Sequence, residues 1–159
     1  MQITKTKGQK EMNETVSKVY IAADHRGVGL KLYLIEMLGA AGYSVVNLGT
    51  DNPDVMVDFP DVADAMADAI GDDTHARGIL VCGTGAGMEI AANRHRNLRA
   101  SRCSTPTQAR DDRFHDAINV LALAADDIDI EIAFICAKTF LESPFDNTER
   151  RVRRIQKIS

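Results

Sequence analysis

Five times along this chain a short apolar run gives way to a segment of helical spacing, and that alternation limits its fold more than any other feature. Val19-Tyr20-Ile21-Ala22-Ala23 is too short for a helix and β-branched enough for a strand. After it Leu30, Leu32, Leu34, Ile35, Leu38 and Ala41 recur at near-helical spacing, and Gly42 stops the helix. The same reading gives strands over 43–48, 78–82, 98–101 and 118–123. Helices are expected over 61–70, from the glycine run to Asn93, over 107–114 and over 128–141, with a basic helix over 149–158. Strand alternating with helix is the signature of a parallel sheet covered on both faces, so the expectation is a three-layer α/β fold with a five-stranded parallel sheet.

The chain has 159 residues, 45% of them apolar and 26% charged, which fits one globular domain with a self-sufficient core. Residues 1–17 are polar and aperiodic and read as a flexible tail, with 18–159 as the folded domain and no secretory signal at the start. No apolar run approaches the roughly 20 residues a membrane span needs. A net charge of −4 gives no reason to expect nucleic acid or an anionic membrane as partner. Cys82, Cys103 and Cys136 form no C-x-x-C pair and are odd in number, which reads as free thiols in a reducing, cytoplasmic compartment.

In open parallel sheets ligands bind beyond the carboxyl ends of the strands. The third strand there runs into Cys82-Gly83-Thr84-Gly85-Ala86-Gly87. Such glycines let the backbone turn tightly and aim several N–H groups into one space, a nest for phosphate or a developing oxyanion. Neither the P-loop Gly-Lys-Ser/Thr nor the dinucleotide spacing is present, and a plain strand-to-helix turn uses the same glycines. Cys82 heads this nest, where a thiolate is favoured and base chemistry is available; an inert buried thiol is the alternative. Cys136 reads as core, while Cys103 fits either role.

Asp24-His25 ends the first strand and reads as an acid–base pair, an anion contact through His25, or a simple turn. His115 precedes the fifth strand, so within its own subunit it belongs to the wrong edge of the sheet. Either its loop climbs back or it serves a neighbouring subunit. His75 and His95 read as solvated, as does the acidic face of Asp61, Asp64 and Asp68. Arg150, Arg154 and Lys157 share one helix face, a spacing that grips a phosphate or merely solvates a basic helix. No His/Cys/Glu cluster stands at metal-ligand spacing.

Taken in order, Ala23-Asp24-His25-Arg26-Gly27, Leu48-Gly49-Thr50, Asp58-Phe59-Pro60, Gly78 to Gly85, Ile90-Ala91-Ala92-Asn93, Ile118-Asn119-Val120-Leu121-Ala122 and the terminal arginine helix resemble the type B ribose-5-phosphate isomerase family, which includes the galactose-6-phosphate isomerase subunits. The resemblance implies a Rossmann-like fold and a cofactor-free aldose–ketose isomerase, working as a homodimer with shared sites; pairing of dimers into a tetramer stays open. By that resemblance Cys82 is the base moving a proton between C1 and C2, and Thr84 assists it. The amides of Gly83, Gly85, Ala86 and Gly87 hold the enediolate oxygen. Asp24, which positions sugar hydroxyls, binds substrate together with His25 and Asp116; His115 opens the furanose ring, and His25, Arg150 and Arg154 bind phosphate.

Some relatives carry the base as a glutamate in the glycine loop, where this chain has Met88, with Glu89 next to it. Other departures lie around the substrate. Asp116 stands for an asparagine, Asp126 for a phosphate-binding arginine, Phe59 for a tyrosine, and Asn147-Thr148 for a Gly-Gly. Arg26 replaces a small residue and is the candidate to compensate for the lost cation. These changes leave open a tetrose or hexose phosphate as substrate. They also leave open a non-catalytic sugar-phosphate-binding protein, while a nucleotide-binding module lacks its phosphate-loop lysine.

Overall fold

The computed structural model describes residues 15–159. The strands are β1 (Val19–Ala23), β2 (Val45–Gly49), β3 (Arg77–Cys82), β4 (Ala100–Arg102) and β5 (Val120–Ala124). Between and after them run α1 (Val28–Ala40), α2 (Phe59–Ile70), α3 (Ala86–Ala92), α4 (Pro106–Asp116), α5 (Ile130–Glu142) and α6 (Glu149–Gln156). The strands form one all-parallel sheet of order β2-β1-β3-β5-β4.

The period-two side-chain alternation of the strands builds two cores. Ile21, Ile79, Val81, Leu121 and Leu123 face α1, α4 and α5, where Leu34, Leu38, Ala109, Cys136 and Phe140 are buried. Ala22, Leu80, Cys82 and Ala122 point the other way, against Val62, Met66, Met88 and Ala92 of α2 and α3. Because both faces are covered, the central strands read as continuous apolar runs.

The strand order reverses twice. The chain leaves β1 for β2 on one side and β3 on the other, then inserts β5 between β3 and β4. The carboxyl ends of β1, β3 and β5 therefore lie side by side, with Ala23 opposite Val81 and Cys82 opposite Ala124. Such a switch point leaves a crevice for ligand.

Element ends differ from the sequence reading for local reasons. α2 starts at Phe59 because Pro60 suits the first helical turn. β5 starts at Val120, just after Asn119, whose side chain adds to the backbone bonds there by accepting from the Arg99 amide at 2.7 Å and donating to the Asn97 carbonyl at 2.8 Å. Asp129 caps α5 by accepting from the Glu131 and Ile132 amides, so that helix begins at Ile130. α4 continues to Asp116, which puts His115 and Asp116 on its last turn, and Ala117 ends it in the left-handed region. Of the expected tail, residues 1–14 lie outside the described residues; Val16 packs on the core, and Ser17 donates to Asp73 at 2.7 Å.

Candidate active site

The carboxyl edge is assembled by backbone first. Gly27 lets α1 approach β3 closely: a Cβ there would stand 2.5 Å from the Val81 carbonyl oxygen. Asp24, only 7% exposed, accepts the Arg26 and Gly27 amides on Oδ1 at 2.9 and 3.2 Å and so shapes the turn into α1. Among the described residues nothing donates to its Oδ2.

Cys82 ends β3 with 5% exposure, and its Sγ accepts the Gly85 N–H at 3.1 Å. Gly85 makes the turn in the left-handed region, at φ +75, where a Cβ would crowd the Arg102 side chain and the Leu123–Ala124 backbone. Thr84 and Ala86 are exposed on this turn. Gly87 lies under the Phe59 ring, three of whose atoms stand 3.2 Å from the position a Cβ would take. Phe59 thus lies against the first turn of α3 through its ring face.

Asp24, His25, Cys82, Gly83, Thr84, Gly85, Ala86 and Gly87 come together at this edge. The His25 ring, half-buried, accepts the Val57 N–H on Nδ1 at 3.4 Å, so the neutral ring carries its proton on Nε2. Of the two glycine-loop positions weighed against the cysteine, one carries no acid and the other is engaged elsewhere. Met88 is fully buried in the core, and Glu89 accepts the Arg102 amide at 3.0 Å, pinning the end of β4.

The other two thiols are core groups. Cys136 is fully buried and burial pushes its pKa up to about 11; burial, then the Asp112 carboxylate, pushes Cys103 up further. Cys103, 2% exposed, packs in the core just past β4 rather than within it. His95 is not simply solvated: its Nε2 pairs with Asp64 at 2.8 Å, tying the end of α3 to α2.

His115, Asp116, Arg150 and Arg154 are elsewhere. α4 runs antiparallel to the strands and delivers His115 to the amino edge, its ring edge-on to Phe114 with centroids 5.2 Å apart. α6 is tied to that end of α4 by Arg151, which donates to Asp146 at 2.7 Å and to the His115 carbonyl at 3.4 Å. Arg150 and Arg154 stay exposed. The loop does not climb back.

Two features of the site were not read from the sequence: the burial of Lys31, and the pairing of Arg26 with Asp126, two residues that stood out only separately. The Lys31 side chain is fully buried, with Nζ within 2.8 Å of Asn47 Oδ1, 2.6 Å of the Thr50 carbonyl and 2.6 Å of Asp51. It fixes the loop that carries Val57 to His25. Only its place on the α1 face that also carries Leu34 and Leu38, where a lysine is out of character, could have flagged it. The second feature is a pair of ions over the glycine loop: Arg26 bonds Asp126, and Arg102 lies 3.8 Å from Asp127. The lost and gained charges at positions 126 and 26 therefore meet in space.

The whole described fold has known counterparts. The Thermotoga maritima ribose 5-phosphate isomerase structure is 42% identical, with a TM-score of 0.84 over 89% of this chain and 96% of that one. Ribose-5-phosphate isomerase B from Mycoplasma genitalium, solved with bound ribulose-5-phosphate, is 34% identical, with a TM-score of 0.84 over 89% and 93% of the two chains. Ribose-5-phosphate isomerase B of Escherichia coli is 32% identical over 91% of this chain and 95% of its own. The ribose/galactose isomerase family model matches residues 19–158. That match begins at β1 and runs past α6, so every strand and the glycine loop fall inside it, and the chain belongs to the ribose/galactose isomerase family.

Proposed function

We propose that this chain interconverts the aldose and ketose forms of a phosphorylated sugar, ribose 5-phosphate and ribulose 5-phosphate, in a homodimer whose sites each draw on two copies. The observation that carries this reading is the meeting of the Cys82 thiol, the glycine-loop backbone and the free Asp24 oxygen at one switch point of the sheet. Cys82 Sγ, as thiolate, takes the proton from C2 of the open-chain aldose. The C–H electron pair becomes the C1–C2 double bond, and the carbonyl pair moves onto O1. Prepositioned N–H donors of the glycine loop stabilise that charge without reorganising. The proton returns from Sγ to C1, and the O2 proton passes to O1 as the C2 carbonyl forms, with Thr84 assisting.

Ring opening and phosphate binding fall to groups the same protomer holds at its amino edge. His115, and with it Arg150 and Arg154, would reach the site from a second copy, while His25 adds to the phosphate site from its own. The bound ribulose-5-phosphate of the Mycoplasma genitalium relative favours the pentose. The Arg26–Asp126 pair, absent from the family pattern, favours a retuned sugar as second reading. Free cysteines accord with a cytoplasmic setting.

Proton NMR with ribose 5-phosphate in deuterium oxide tests the proposal. Ketose formed with deuterium washed in establishes the enediolate and the substrate together. Exchange without conversion keeps the base and shifts the substrate to a tetrose or hexose phosphate. Silence across such a panel, from folded protein, replaces the isomerase by a binding protein.

A further inference from the structure

Arg26 and Asp126 stand on opposite sides of Gly83, one on the turn after β1 and the other after β5, and their side chains meet across it. Both ends are anchored to the backbone of the site. The Asp126 amide donates to the Gly83 carbonyl at 3.0 Å, and the Ala125 amide to that of Cys82 at 2.8 Å. The Arg26 amide is held by Asp24. A Cβ on Gly83 would stand 2.5 Å from Arg26 Cζ, 2.6 Å from Nε and 2.7 Å from Nη1. These near-equal distances mean that the guanidinium lies face-on over Gly83, next in sequence to the Cys82 thiol. Its Nη2 is taken by Asp126, while Nε and Nη1 have no protein acceptor among the described residues.

We propose that Arg26, held over Gly83 by Asp126, is a catalytic residue that stabilises the enediolate oxygen, and that Asp126 is its positioning residue. This rests on the isomerase reading above, and it replaces the idea that Arg26 restores a lost phosphate contact. A cation held over Gly83, the residue that follows the base, acts on charge that develops between C1 and C2. A phosphate ligand acts at the far end of the sugar and binds substrate and transition state alike. Asp126 offsets part of the positive charge but engages only one nitrogen, and it leaves two N–H-bearing nitrogens over the glycine.

The test is Arg26→Gln, with turnover, C2 deuterium exchange and two binding probes. One probe is a phosphorylated hydroxamate, which carries the planar oxygens of an enediolate; the other is the matching phosphorylated alditol, which keeps the phosphate and hydroxyls but not those planar oxygens. The expected result is a fall in kcat on the order of 10–100-fold with KM little changed. Exchange should fall in parallel, and the hydroxamate should bind correspondingly weaker while the alditol binds as before. Arg26→Lys should recover part of kcat, and Asp126→Asn should lower kcat several-fold without touching alditol affinity. Equal weakening of both probes with kcat preserved makes Arg26 a phosphate ligand and overturns the proposal. So does unaltered catalysis in Arg26→Gln. Lack of turnover in the unsubstituted protein overturns the isomerase reading instead, and that assay is read first.

Discussion

The two edges of the sheet are built in different ways. At the carboxyl edge the groups near Cys82 are placed by backbone: Asp24 spends one oxygen on its own turn, Gly85 donates to the thiol, and Phe59 lies flat on Gly87. At the amino edge His115, Arg150 and Arg154 project from helix ends, exposed, with Arg151 as the one arginine of α6 locked in place. A crevice with fixed donors can stabilise charge alone, but exposed side chains on the far edge reach no crevice of their own protomer. On the proposed reading, the first edge is a site lacking its ring-opening acid, and the second a set of groups lacking a site.

The strongest test of this contrast is complementation. Cys82→Ser and His115→Ala should each lower turnover about a thousandfold as separate preparations. Mixed in equal amounts under exchange of subunits, they should regain on the order of a quarter of normal activity, because half of the dimers then hold one intact shared site. A mixture that stays as inactive as its parts would place both groups in the same protomer.

A smaller effect sharpens the picture of the carboxyl edge. Lys31→Met removes the buried ammonium from its acceptors in β2 and on the loop after it, and should lower stability by about 2 kcal/mol in denaturant unfolding. If Lys31 acts only by holding that loop, KM should rise more than kcat falls, since His25 loses its Val57 anchor. The corresponding substitution Arg153→Met, on the exposed face of α6, should leave both unchanged.

The smallest effect is one of pH. A hydrogen bond from Lys31 holds the Asp51 carboxyl below its ordinary value of 3.8. A lowered folded-state pKa favours the folded protein above the unfolded value, and that contribution fades as pH falls through the folded value. The stability gap between the protein and Asp51→Asn should therefore be full at neutral pH and should close progressively below pH 3.8. A gap independent of pH would mean that Asp51 acts without its charge.

Much of this protein was legible before any coordinates. Strand-length apolar runs between helical ones admit few arrangements, and the helix-stopping Gly42 and the glycines after Cys82 marked real turns, with Gly42 and Gly85 at positive φ. Even the displacement of His115 to the opposite edge followed from parallel topology, because whatever precedes a strand lies at its amino end. Less legible were the exact ends of β5 and α2, where the Asn119 side chain adds to the backbone bonds and the Pro60 ring suits the first helical turn.

Sequence alone determined the layers, the carboxyl edge where the candidate site is gathered and the thiol that stands there, because periodicity and backbone handedness are local properties. Only the tertiary structure decided that Arg26 meets Asp126, a hundred residues away, over a glycine between them. Only it decided that Lys31 is buried and that Glu89 is spent on the Arg102 amide. Each of these depends on which strands become neighbours, and strand order is set by the packing of the whole chain rather than by any one segment of it.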